Sequence, residues 1–75
     1  MCRSIKTLYH FNPPATDEEI YAASLQFVRK ISGFRKPSLV NMAIFENAVQ
    51  NISKIVTDVI NSLETNVSLR HREMV

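Results

Sequence analysis

Residues 16–33, TDEEIYAASLQFVRKISG, contain the signals that begin and end an α-helix. Thr16 precedes Glu19 by three residues, the spacing at which the hydroxyl and the carboxylate each accept a hydrogen bond from an unpaired backbone N–H group. Gly33 suits the left-handed conformation that closes many helices. The stretch therefore predicts a helix over residues 17–32.

Charge and hydrophobic periodicity support the same helix. The acidic residues 17–19 lie where the helix dipole is positive, and Arg29 and Lys30 lie near its negative end. The carboxylates are interpreted as capping charges and not as a catalytic pair. Between these ends, the apolar side chains repeat at intervals of three and four residues, which predicts an amphipathic helix with one buried face.

A second apolar pattern follows the connector GFRKPS and predicts a helix over residues 39–64, with Ser38 as its cap or Asn41 as a competing one three residues later. At 1.5 Å per residue this helix would be roughly 39 Å long, whereas the first would be about 24 Å long. The shorter helix cannot cover the longer one, so the remaining apolar length must contact another segment or another subunit. This mismatch is the strongest sequence argument for a partner.

The predicted fold is all-α, a helical hairpin within a single small domain that spans residues 1–75. Residues 1–15 form an N-terminal segment that packs across the hairpin through Ile5, Leu8 and Phe11. Their spacing favours a helical turn slightly over a strand. Residues 65–75 lose the apolar period, which predicts a partly flexible tail.

The size and composition limit the function classes. A domain of 75 residues buries only about 60% of the surface of its unfolded chain, so small domains usually need a further source of stability. One cysteine excludes an intrachain disulfide, and no recognised zinc-binding spacing is present. We therefore expect a homo-oligomer, with a dimer favoured, or a complex with another helical protein.

The chain contains no apolar run long enough to span a membrane. Its net charge of +2 is too small to imply nucleic-acid binding. We expect a cytoplasmic protein that has no cofactor and no membrane partner and does not bind nucleic acid. A non-catalytic interaction or assembly module is the leading functional hypothesis. Its predicted oligomer interface is the apolar side of the second helix, formed by Phe45, Val49, Ile52, Val56, Val59 and Leu63.

An alternative is a thiol or metal site built on Cys2. If Met1 is removed, one residue carries both an amine and a thiol, which together can bind a soft metal or act as a nucleophile with its own base. His10, with Arg3, would assist, and His71 could be a further ligand. Burial of Cys2 as a small apolar residue competes with this interpretation.

A third hypothesis places a polyanion or nucleic acid at the turn between the helices. Arg29, Lys30, Arg35 and Lys36 form a basic cluster there, with Phe34 between them. A long apolar second helix is not typical of a DNA-recognition helix. Compensation of the helix dipole, together with solvation, explains the same charges.

Three stretches, MCRSIKTLYHFNPPATDEEI, AASLQFVRKISGFRKPS and N…F..AV, together resemble a family of short, uncharacterised, conserved bacterial proteins. Members of this family begin Met-Cys-Arg, continue with Phe-x-Pro-Pro-Ala-Thr, and carry Val-Arg-Lys-(Ile/Val)-Ser-Gly before Lys-Pro-Ser. The resemblance extends from Met1 to about Leu63. It implies no particular activity, substrate or cofactor.

Overall fold

A computed structural model describes residues 5–71, and two helices account for most of them. In chain order, the elements are strand β1 (Phe11–Asn12), helix α1 (Asp17–Ser32), helix α2 (Leu39–Ser62) and strand β2 (Arg70–His71). The helices form a hairpin, and the two short strands pair beside it. No helix in the described range is long and apolar enough to cross a membrane.

Helix α1 begins and ends as its sequence predicts. The Thr16 hydroxyl accepts a hydrogen bond from the Glu19 N–H at 3.1 Å, and the Glu19 carboxylate accepts one from the Thr16 N–H at 2.9 Å. At the other end, Gly33 has φ 77° and its N–H donates to the Arg29 carbonyl. Glycine adopts this left-handed conformation without the steric penalty of a Cβ atom.

Helix α2 is shorter than predicted and ends at Ser62 instead of residue 64. No glycine closes it. Leu63 adopts an extended conformation, with φ −67° and ψ 144°, and its N–H still donates to the Val59 carbonyl. Of the two candidate caps, Ser38 is the N-cap residue and Asn41 lies inside the helix, although the Ser38 side chain makes no capping hydrogen bond.

The hydrophobic core lies between the two helices and is small. In the described part of the chain, the buried hydrophobic side chains are Ile20, Val28, Phe45 and Val49. Val28, Phe45 and Val49 form one cluster, and the partly buried Leu25, Ala48 and Ile52 pack against it. The limited core agrees with the surface-to-volume argument for a chain of this size.

The prediction of a purely all-α fold is wrong, because β1 and β2 form a two-stranded parallel sheet. Phe11 pairs with Arg70, and Asn12 pairs with His71. The preferred helical turn in the N-terminal segment is also wrong. His10 has a left-handed φ of 69°, and a residue that precedes proline, such as Asn12, is driven toward extended backbone.

Candidate functional site

The parallel strands belong to a larger set of contacts between residues 9–12 and 63–71, which we call the clasp. The Arg70 N–H donates to the His10 carbonyl at 2.9 Å, and the Tyr9 hydroxyl donates to the Leu63 carbonyl at 2.9 Å. The Arg70 guanidinium lies 5.6 Å from the centre of the Phe11 ring. Since a two-residue strand pair is too short to be stable by itself, these side chains help to hold it.

The imidazole of His10 is part of the clasp. Its Nε2 lies 2.7 Å from the Val67 carbonyl oxygen. A carbonyl can only accept a hydrogen bond, so Nε2 carries the proton and donates it. The ring also stacks on Tyr9, with ring centres 5.3 Å apart. In this arrangement a metal or a substrate could use only Nδ1 of His10.

The proposed partner of His10 in a thiol or metal site, Cys2, lies outside the described residues, as does Arg3. His71 is exposed in β2, and its backbone pairs with Asn12. Among residues 5–71, no group of three or more His, Cys, Asp or Glu side chains could hold a metal ion. The clasp therefore explains the contacts of His10 in structural terms.

A pocket of about 510 Å³ adjoins the clasp, between the N-terminal segment and the end of α2. Its lining includes apolar groups from Phe11, Pro14 and Ile60, and the titratable side chains of His10 and Glu64. The Thr65 hydroxyl, also in the lining, accepts a hydrogen bond from the Val67 N–H at 3.1 Å. The pocket is thus lined by both apolar and polar side chains.

The basic cluster lies on the surface at the turn of the hairpin. Arg29 and Lys30 occupy the last turn of α1, whereas Arg35 and Lys36 belong to the connector. All four side chains are exposed. The structure therefore places the cluster where the sequence predicted it.

The predicted oligomer interface divides into buried and exposed residues. Phe45 and Val49 are buried within the chain, in one cluster with Val28 of α1. They are therefore unavailable to a partner, and their assignment to an interface needs correction. The physical reason is that α1 covers this part of the apolar side of α2.

The remaining predicted interface residues have graded exposure. Ile52 and Val56 are half-buried, whereas Val59 and Leu63 are exposed. The sequence prediction omitted several strongly exposed apolar residues of α2, among them Ile44, which lies beside Phe45 in the chain. Its apolar character on the rim of the helix stripe was the available signal.

One side-chain bridge between the helices was also missed. The Tyr21 hydroxyl lies 2.9 Å and 3.1 Å from the two carboxylate oxygens of Glu46. Gln50 donates to the same carboxylate at 3.1 Å. The hydrogen bond to Glu46 is the main cause that raises the pKa of Tyr21 above its usual value of 10.0, and partial desolvation adds to it.

The fold and these surfaces define a class: a small helical hairpin whose segments before α1 and after α2 meet in a parallel clasp, with exposed apolar surface on its longer helix. Comparison with protein families then identifies the group. The model of the family described as "Uncharacterized conserved protein (DUF2277)" matches residues 1–75, so the chain belongs to that family. The individual motifs that suggested the family stay a prediction. No curated protein and no solved structure matches the chain.

Proposed function

We propose that this protein is a non-catalytic assembly module that forms a homodimer through one side of α2. The supporting observation is an exposed apolar surface beside the core, which we call the α2 outer face and define as Ile44, Ala48, Ile55 and Val59. Ile44 is 68% exposed, Ile55 is 61% exposed and Val59 is 47% exposed. Ala48 is half-buried between them and also touches the core.

The four residues share one side of the helix. Their spacings along the chain are four, seven and four residues. With 3.6 residues per turn, these positions lie within about 60° of one another around the helix axis. The α2 outer face is therefore a continuous stripe and not a scatter of single exposed residues, which would need no explanation.

The same spacings suggest a second copy of the chain as the occupant. These intervals are the same when counted from either end of the helix. Two antiparallel α2 helices related by a two-fold axis would therefore place each apolar residue of one chain opposite an apolar residue of the other. Ile44 would lie opposite the partner's Val59, and Ala48 opposite the partner's Ile55. A large side chain against a small one allows close packing, and a symmetric dimer requires such a self-complementary surface.

Asn51 lies at the centre of this arrangement, close to the two-fold axis, and is exposed in the single chain. A polar asparagine within an apolar helix interface can pair with its counterpart, which favours one register over others at some cost in stability. Asn51 would thus select the proposed alignment of the two helices.

Sedimentation equilibrium of the purified chain at micromolar concentration tests the dimer. We expect a mass of two chains for the wild type and of one chain for Ile55→Asp, because the carboxylate would be buried without a partner. Leu39→Asp is the matched control, since Leu39 is exposed on α2 but lies off the outer face. Circular dichroism verifies that both variants remain helical. A monomeric wild type, or a monomeric Leu39→Asp, would contradict the proposal.

Disulfide trapping tests the antiparallel alignment. In a Cys2→Ser background, chains with Ile44→Cys and chains with Val59→Cys are mixed and oxidised. The proposed geometry gives cross-linked heterodimers of the two variants in preference to cross-links within either variant alone. Preferential cross-linking of Ile44→Cys to itself would indicate parallel helices instead and would contradict the alignment.

A further inference from the structure

The turn of the hairpin combines exposed aliphatic side chains with positive charge. We call residues 29–40 the hairpin tip; they comprise the end of α1, the connector and the start of α2. Leu39 and Val40 are each 85% exposed, and Ile31 and Phe34 are more than half exposed. Val40 lies four residues before Ile44, at the margin of the α2 outer face, but Leu39, Ile31 and Phe34 lie off that face, so the proposed dimer does not account for these three.

The charge of the tip is uniform in sign. Residues 29–45 contain four basic side chains and no acidic one, although the whole chain has a net charge of only +2. No ion pair within 4.0 Å joins any of these four to an acidic side chain of the described residues. The tip is thus a local positive patch whose charges are available to an external anion.

The start of α2 adds to this preference for anions. Ser38 makes no side-chain capping hydrogen bond, and the first turn of the helix contains no acidic residue. Backbone N–H groups at a helix N-terminus carry partial positive charge. The helix end therefore reinforces the field of the four basic side chains.

We propose that the hairpin tip docks on the surface of an anionic lipid bilayer. Leu39, Val40 and Ile31 would enter the boundary between headgroups and acyl chains, while the basic side chains contact lipid phosphates and carboxylates. Peripheral binding of this kind combines buried apolar area with attraction to anionic lipids. The expectation of no membrane partner rested on the lack of a spanning segment, which does not bear on surface binding.

The exposed aliphatic residues of the hairpin tip favour a lipid bilayer over a nucleic acid as the partner. Both present phosphates to a basic patch, and binding to both weakens with salt. Single-stranded nucleic acids are bound largely by stacking on aromatic rings, and the tip has one, Phe34. Leu39, Val40 and Ile31 have no role in phosphate contact, whereas burial in lipid removes their apolar surface from water.

Co-sedimentation with vesicles tests the docking. The full chain is mixed with vesicles of phosphatidylcholine alone or of phosphatidylcholine with phosphatidylserine. We expect binding only when phosphatidylserine is present. Leu39→Ser with Val40→Ser, and separately Arg35→Glu with Lys36→Glu, should each weaken binding at least tenfold. Val67→Ser and Lys54→Glu, which alter exposed residues away from the tip and off the α2 outer face, are the matched controls and should retain wild-type affinity.

A fluorescence probe locates the contact independently. The chain has no tryptophan, so Phe34→Trp creates a single reporter at the tip. Its emission should shift to shorter wavelength on phosphatidylserine vesicles, because the indole enters a less polar environment. Leu63→Trp, beyond the far end of α2, should show no such shift.

Several results would overturn the proposal. Vesicle binding that persists in the Leu39→Ser, Val40→Ser variant would show that aliphatic insertion has no part in it. Binding to duplex or single-stranded nucleic acid without binding to phosphatidylserine vesicles would assign the patch to a nucleic acid. Loss of a wild-type dimer in the same double variant would make the tip an interface between copies. Loss of the dimer in Ile55→Asp does not affect the docking test.

Discussion

Ser24 shows how a single polar residue is accommodated in the small core. It is buried within α1, and its hydroxyl donates to the Ile20 carbonyl one turn earlier, at 2.9 Å. Across the described residues, no buried side-chain nitrogen or oxygen lacks a hydrogen-bond partner. A buried hydroxyl that has a partner avoids the desolvation cost of an unpaired group. The periodicity of α1 predicted that Ser24 lies on the apolar face of the helix. The hydrogen bond of its hydroxyl could not be predicted from the sequence.

The raised pKa of Tyr21 gives a prediction that a pH titration can test. In a Tyr9→Phe background it is the one remaining tyrosine, and its ionisation can be followed by ultraviolet absorbance. We expect a midpoint above 10.0, because ionisation would remove the hydrogen bond that the phenol donates to Glu46 and would place a phenolate beside its carboxylate. Glu46→Gln should lower the pKa of Tyr21. The matched control, Glu64→Gln, should leave it unchanged, and equal midpoints in both variants would contradict the assignment.

The raised pKa of Tyr21 also makes the stability of the fold depend on pH. A group whose pKa is higher in the folded state contributes stability below its unfolded pKa and loses that contribution as the pH rises through the folded pKa. The bridge between Tyr21 and Glu46 should therefore stabilise the hairpin at neutral pH and weaken in alkaline solution above pH 10.0.

At the scale of elements, the clasp joins parts of the chain that the hairpin alone would leave apart. Its hydrogen bonds connect residues 54 and 57 positions apart in sequence. A parallel strand pair needs a long crossover connection, and here the complete helical hairpin supplies it. The clasp thus links both flanking segments across the end of α2.

Substitution of His10 tests the clasp as a unit. His10→Asn keeps a residue that tolerates the left-handed conformation but removes the ring that donates to Val67. We expect a loss of about 0.5–1.5 kcal/mol in unfolding free energy, the range for one hydrogen bond. Hydrogen exchange of the Arg70 amide should accelerate, because its acceptor is the His10 carbonyl.

His71→Asn is the control for this substitution. His71 is exposed in β2, and its pairing with Asn12 is made through the backbone. It should change neither the unfolding free energy nor the exchange of Arg70. If both variants behave alike, the imidazole of His10 does not hold the clasp.

At the scale of the whole molecule, the single chain is elongated. Its radius of gyration is 14.1 Å, and its principal extents are 45, 27 and 21 Å. A compact domain of this length would have a radius of gyration of about 11 Å. Its accessible surface of 6319 Å² exceeds the roughly 4,700 Å² expected for a compact monomer of this mass. An elongated chain with a small core is the shape that a second copy would complete.

The proposed dimer predicts a concentration-dependent thermal midpoint. A tenfold increase in protein concentration favours the folded dimer over two unfolded chains by about 1.4 kcal/mol. For about 150 residues this corresponds to a rise in Tm of about 3–6 °C. Ile55→Asp should show a Tm that does not depend on concentration. A wild-type Tm that stays constant over this range would contradict dimerisation coupled to folding.

Features that act within about one helical turn could be read directly from the order of the amino acids. The capping box at Thr16, the left-handed Gly33 and the two helices themselves could all be predicted, because each depends on residues close together in the chain. The helical turn expected near Leu8 and Phe11 was wrong, because a distant segment, residues 70–71, pairs with β1.

Which apolar residues of α2 are buried depends on how the two helices pack together. Its apolar stripe is wider than the surface that one shorter helix can cover. Phe45 and Val49 lie under α1, whereas Ile44 and Ile55 remain exposed. The spacing of apolar residues defines the stripe, but the position of α1 against it depends on packing between distant residues. That packing separates the core of this protein from its candidate interface.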